Sequence, residues 1–155
     1  MTGAVVTTVD TGARKVSRRV LVDTAPAQIF ALIADPHRHP DLDGSGTVRD
    51  SAVEGPDRLS QGARFTVGMK QYGIPYKISS TVTAYEQDRI VEWRHPAGHR
   101  WRWELVETEP GVTQVTETFD YSTAKAPRLL ELLGQPAKNA NGITATLQAL
   151  AARFS

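Results

Sequence analysis

The stretch PAKNANGITATLQALAARF (residues 136–154) decides the fold. Within it Ala140, Ile143, Thr144, Leu147, Leu150, Ala151 and Phe154 recur at spacings of three and four. That spacing puts them on one stripe of a single helix. The stripe carries no ionisable side chain. Almost everything before it alternates with the period of two that marks β-strands. One long amphipathic helix behind many strands needs an apolar sheet to lie against. The expected architecture is therefore α+β: a curved antiparallel sheet wrapped around the C-terminal helix, with a cavity between them.

Immediately upstream, Leu129, Leu130, Leu132 and Leu133 mark a short helical segment over 126–133. Gly134 ends it and Pro136 opens the last helix, the usual glycine-after, proline-at-start asymmetry. Further back lies the sharpest local pattern. One strand runs from about Arg89 to His95, a second from His99 to about Glu107, and Pro96–Gly98 form the turn between them. Pairing His95 with His99 sets Trp93 opposite Trp101 and Val91 opposite Trp103. The same register sets Glu92 opposite Arg102 on the other face, so one pairing yields an aromatic inner face and an opposite-charge outer pair. After a turn at Pro110–Gly111, Val115, Glu117, Phe119 and Tyr121 continue the inner face.

The first half adds four more strands, about seven in all. Ala63, Phe65, Val67 and Met69 alternate cleanly with Arg64, Thr66, Gly68 and Lys70. Tyr76, Ile78, Ser80, Val82 and Ala84 form the next inward set, more weakly specified. A short strand covers about 47–53. The first, about 16–23, is apolar on both parities at its centre, so either face could point inward. Thr24 followed by Pro26 reads as a helix start with a hydroxyl cap, Ile29, Phe30, Leu32 and Ile33 supply its buried face, and Pro36 stops it. Residues 1–14 read as a flexible tail and 15–155 as one domain.

Bulk properties exclude several function classes. A chain of 155 residues with 40% hydrophobic and 23% charged residues is ordinary for a globular domain. The net charge of +1 gives no overall field for nucleic acid or membrane. The basic cluster Arg14, Lys15, Arg18 and Arg19 reads as a solvated strand edge rather than a phosphate or membrane contact. There is no cysteine, hence no disulfide and no thiolate nucleophile or metal ligand. No apolar run reaches membrane-spanning length and none resembles a signal-peptide core, so the expectation is a cytoplasmic protein without stable membrane insertion. No glycine-rich phosphate loop or G-x-S-x-G elbow occurs.

The residues that carry chemistry follow from the inner parity. Phe65, Val67, Met69, Tyr76 and Ile78 from the first sheet half, and Trp93, Trp101, Trp103, Leu105 and Phe119 from the second, line the expected cavity. Ile143 and Leu147 face them from the helix. Three tryptophans on neighbouring strands suit a flat or polycyclic ligand, or simply fill core. Glu117 stands between inward Val115 and Phe119, so its carboxylate must be paired, neutral or near water. His95 and His99 flank the hairpin turn on the inward parity and could relay protons, or could be exposed turn histidines. Glu117, His95 and His99 are thus weak catalytic candidates. His37 and His39, in the turn-rich DPHRHPDLDGSG (35–46) with Asp35, Asp41 and Asp43, do not form a preformed tetrahedral site. No metal and no cofactor is expected, and whether this loop gates the cavity is open.

The segments VSRRVLVDTAPAQIFALIADPHRHPDLDGSG (16–46), DRIVEWRH (88–95), HRWRWELVETEPGVTQVTETF (99–119) and GITATLQALAARF (142–154) together resemble the helix-grip fold of the START-like superfamily, which includes the birch pollen allergen. More narrowly they resemble bacterial polyketide cyclase/dehydrase-type proteins of the SRPBCC group. The resemblance implies the same sheet-and-helix cavity, with two short helices after strand one. It carries over no catalytic residue, because members bind or transform very different apolar molecules. It implies a small hydrophobic partner and no nucleic acid. The leading expectation is a carrier or sensor for a lipid, polyketide or aromatic molecule. The alternatives are a cyclase, aromatase or dehydratase acting on such a ligand, or a module that grips another protein's apolar segment. The oligomeric state is not legible.

Overall fold

In the computed structural model residues 4–39, 48–71 and 73–155 are described, without the side chains of 48–52 and 69–71. The expected strand start at Thr47, the loop residues Asp41 and Asp43, and the Met69 side chain therefore lie outside the described residues. Among the described residues eight strands form one antiparallel sheet: β1 (Thr7–Val9), β2 (Lys15–Val22), β3 (Val48–Glu54), β4 (Arg64–Gln71), β5 (Ile74–Glu86), β6 (Ile90–Arg94), β7 (Arg100–Glu109) and β8 (Val112–Asp120). Their order across the sheet is β1-β2-β8-β7-β6-β5-β4-β3. Helix α1 (Pro26–Ile33) and a 3-10 turn (Pro36–Arg38) follow β2, and α2 (Pro127–Leu132) and α3 (Gln135–Arg153) close the chain.

The eighth strand corrects the reading of residues 1–14 as a tail throughout. Thr7–Val9 pair with Ser17–Arg19, Val6 packs against the core, and Thr11 Oγ1 lies 2.7 Å from Ser17 Oγ. The physical reason is that β2 would otherwise be an open edge, and the β-branched Thr7, Thr8 and Val9 suit an added strand.

The β6–β7 hairpin forms in the expected register. Val91 pairs with Trp103, Glu92 with Arg102 and Trp93 with Trp101, and the His95 amide donates to the His99 carbonyl at 2.8 Å. On the outer face Glu92 sits 3.1 Å from Arg102 and 3.5 Å from Arg100 and accepts from Thr83 Oγ1 at 2.8 Å. The turn depends on Gly98, whose φ is +95 and whose absent Cβ would lie 2.5 Å from the Thr123 carbonyl oxygen. There the 122–125 loop clamps the turn: Thr123 Oγ1 donates to the Gly98 carbonyl at 2.7 Å and the Lys125 amide to Ala97 at 2.8 Å.

Two local expectations are corrected. The α1 N-cap is Ala25, without a side-chain cap bond, and Pro26 opens the helix. Thr24 instead uses its carbonyl to accept from Thr113 Oγ1 at 2.7 Å, which ties the helix entry to β8. In β5 a register shift between Val82 and Ala84 turns Ala84 away from the inward set. Beyond it Tyr85 pairs with Val91, and its ring meets Phe30 of α1 edge-on at 5.5 Å. The ambiguous face of β2 is settled by β8: Val16, Arg18, Val20 and Val22 lie opposite Phe119, Glu117, Val115 and Thr113, while Leu21 is exposed.

Helix α3 buries Ile143, Thr146, Leu147, Leu150 and Ala151, each large apolar one contributing about 1.5–3 kcal/mol. It packs chiefly on β2 and also on β8. The long helix thus covers one half of the concave face. Gly134, at φ +73, lets the chain turn from α2 directly into α3.

Candidate ligand-binding site

The β-sheet period of two and the observed registers gather one row of rings across the concave face: Trp93 on β6, Trp101 on β7 and Phe119 on β8. Trp101 meets Phe119 at a centroid distance of 5.0 Å. Phe65 of β4 meets Trp93 edge-on at 5.5 Å. Beyond Phe119, Tyr121 stacks at 5.5 Å and donates its hydroxyl to Glu131 of α2 at 3.0 Å. Phe65, Trp103, Leu105 and Phe119 are buried, whereas Trp93 and Trp101 are only partly covered. Ring surface is therefore still open in the middle of an otherwise buried strip.

The wall facing Trp93 is one the sequence did not reveal. His39 stacks on Trp93 at 4.9 Å, meets Phe65 edge-on at 5.4 Å, and donates from Nε2 to the Ile33 carbonyl at 2.8 Å. Alternation assigns faces only within strands, so a histidine beyond a 3-10 turn carries no such signal. The turn itself is set locally, since Asp35 accepts from the His37 amide at 3.0 Å. His37 is bonded to Gly55 instead, at 3.1 Å, so the two histidines do not converge on one point.

Glu117 is inward and buried, with 7% exposure. Its register partners are Arg18 on β2 and Trp103 on β7. His95 and His99 are partly buried, and their rings stack at 4.1 Å. The Ala97 amide donates to His95 Nδ1 at 2.9 Å, which requires that nitrogen to be unprotonated. His99 also meets Phe119 edge-on at 5.2 Å, and its Nδ1 is buried without a hydrogen-bond partner among the described residues. Burial lowers both pKa values; for His99, burial and then the charge of His95 bring it down to about 4. Both rings are thus neutral at neutral pH. Since Trp103 faces Glu117, the backbone of His99, four residues before Trp103, lies roughly 13 Å from the Glu117 row along the strand direction. Glu117 and the histidine pair therefore do not meet around one reacting atom.

The other residues expected at the site divide into three groups. Val67 is buried and Ile78 half-buried on the same face. Tyr76 keeps the inward parity but lies near the end of the β4–β5 hairpin, where it is 38% exposed. Ile143 and Leu147, at 2% and 0% exposure, are fully packed in a helix that sits on β2 and β8. Two open depressions are formed by described residues. One, about 450 Å³, lies between the start of α1 and β7. The other, about 400 Å³, lies between β1–β2 and the start of α3. Neither is lined by a tryptophan. Among the described residues no group of three or more His, Asp or Glu could hold a metal ion, and no helix is long and apolar enough to cross a membrane.

This architecture has relatives. Rv0088 of Mycobacterium tuberculosis is 47% identical over 154 residues, 97% of this chain and 68% of that protein. Among solved structures, a Rhodobacter sphaeroides protein superposes with a TM-score of 0.72 at 16% identity, covering 96% of each chain. The Zhui aromatase/cyclase from a Streptomyces species superposes with a TM-score of 0.61 at 17% identity, covering 88% of this chain and 93% of that one. At those identities the structural likeness concerns the fold alone. The family model described as polyketide cyclase / dehydrase and lipid transport matches residues 13–155, and the chain belongs to that family.

Proposed function

We propose that this protein binds a small apolar molecule, a lipid, polyketide or other aromatic, and acts as its carrier or sensor. The observation that carries the reading is the partly open pair Trp93 and Trp101, flanked by buried Phe65, Trp103 and Phe119. Flat ring surface bounded by apolar walls favours a flat apolar guest through burial and stacking. The spacing of the ionisable groups argues for binding over acid–base catalysis, which needs its groups within hydrogen-bond reach of one substrate.

Mass spectrometry of gently purified protein and its organic extract tests this directly, with a retained apolar molecule expected. Titration with 1-anilinonaphthalene-8-sulfonate supplies a defined probe. Trp101→Ala is expected to weaken its binding roughly tenfold, while Arg102→Ala, on the outer face, leaves it unchanged. Extracts that stay empty, together with a probe affinity indifferent to Trp101→Ala, would refute the proposal. A cyclase or aromatase activity is the second reading, favoured by the buried carboxylate of Glu117. It requires that Glu117→Gln abolish turnover of a poly-β-keto substrate without abolishing its binding.

A further inference from the structure

We infer that the outer face of α2 docks on anionic phospholipid bilayers. Leu130 of this short helix packs against the core, but its other leucines do not. Leu129, Leu132 and Leu133 are 52%, 84% and 67% exposed. The acid of the same segment, Glu131, is exposed but engaged by the protein, accepting from the Tyr121 hydroxyl at 3.0 Å and lying 3.6 Å from Arg14. A soluble helix ordinarily keeps such leucines against the core, and an apolar cluster of this kind marks a surface that something covers.

Charge identifies the cover. Between residues 121 and 139 the charged side chains are Lys125, Arg128, Glu131 and Lys138. The single acid is the one already facing Arg14, and Lys125 and Arg128 are exposed. Leucines rimmed by cations suit the boundary between anionic headgroups and acyl chains. The topology adds a second apolar element at this end of the sheet. Thr81 is already opposite Arg94, so residues 74–80 of β5 run on past the β6–β7 turn. They carry Ile74 and Tyr76, 67% and 38% exposed. The aromatic strip reaches the same end through Phe119 and Tyr121. Building on the ligand reading above, α2 would bring the strip to the phase in which an apolar cargo dissolves.

Flotation with phosphatidylcholine vesicles, and with vesicles of phosphatidylcholine and phosphatidylglycerol in equal parts, tests the inference. The protein is expected to float with the mixed vesicles. The double variant Leu132→Ser, Leu133→Ser is expected to lose this binding roughly tenfold or more, and Lys125→Glu, Arg128→Glu to lose it on the anionic vesicles. Both alter exposed side chains, and unchanged urea unfolding curves verify that they fold. The inference is overturned if the wild type floats with neither vesicle, if the leucine variant floats equally well, or if sedimentation shows a dimer that those leucines hold together. Titration of the same leucine variant with 1-anilinonaphthalene-8-sulfonate separates the two proposals. Retained probe affinity with lost flotation supports docking, and lost affinity in a folded variant overturns it by assigning the leucines to the ligand site. A wild type that floats but binds no probe fails the ligand reading alone.

Discussion

At the scale of single residues, His99 links environment to pH most directly. Its ring is pressed against His95 and Phe119, with a pKa near 4 in place of 6.5. Because the folded value is depressed, the unfolded chain takes up the proton first on acidification. Stability from this group is present above about pH 6.5 and is lost as pH falls towards about 4. Allowing for the ring's partial exposure, the loss is about 2 kcal/mol. Urea unfolding across this window should show the decline, and His99→Gln should flatten it; an unchanged slope in the variant would assign the decline to other groups. The residue scale is also where the sequence reading was least complete. Trp93, Trp101 and Glu117 were legible as inward because each sits in a strand with a known partner. His39 was not, because its place over Trp93 depends on a turn closed by Asp35 and on the Ile33 carbonyl.

At the scale of elements, the β6–β7 hairpin was readable because two faces constrained one register: rings on one side, Glu92 and Arg102 on the other. Its turn was readable only in part. Proline and glycine mark a turn, but the requirement for Gly98 comes from the Thr123 carbonyl, which arrives from a distant loop. Gly98→Ala combines an unfavourable φ with a backbone clash. It is expected to cost about 2–4 kcal/mol and to increase amide exchange at Thr123–Lys125, measured by hydrogen exchange. An unperturbed clamp would mean that the turn and loop are independent. The same contrast explains the α1 cap and β1. Thr24 looked like a cap by residue type, but Thr113 engages its carbonyl. Thr7–Val9 looked unpatterned because three residues are too few to show alternation, yet the open edge of β2 recruits them.

At the scale of the whole molecule, a guest seated on the aromatic strip would join surfaces contributed by β4, β6, β7, β8 and the His39 turn, so its binding should stabilise the fold. With 1-anilinonaphthalene-8-sulfonate at ~100 times its Kd, mass action adds about 2.7 kcal/mol, raising the thermal midpoint by about 5–10 °C. A midpoint that does not move would mean that the probe binds native and unfolded chains alike. The sequence by itself determined the helix-grip architecture, the aromatic face and the hairpin register. It could do so because periodicity and cross-strand chemistry are written in neighbouring residues. Only the tertiary structure decided that α3 covers the β2–β8 half of the sheet, that His39 walls the other half, and that Leu129, Leu132 and Leu133 face outward. These depend on which surfaces compete for the same neighbour: the stripe of the final helix is equally apolar whichever strands it covers, and only packing against β2 and β8 chooses among them.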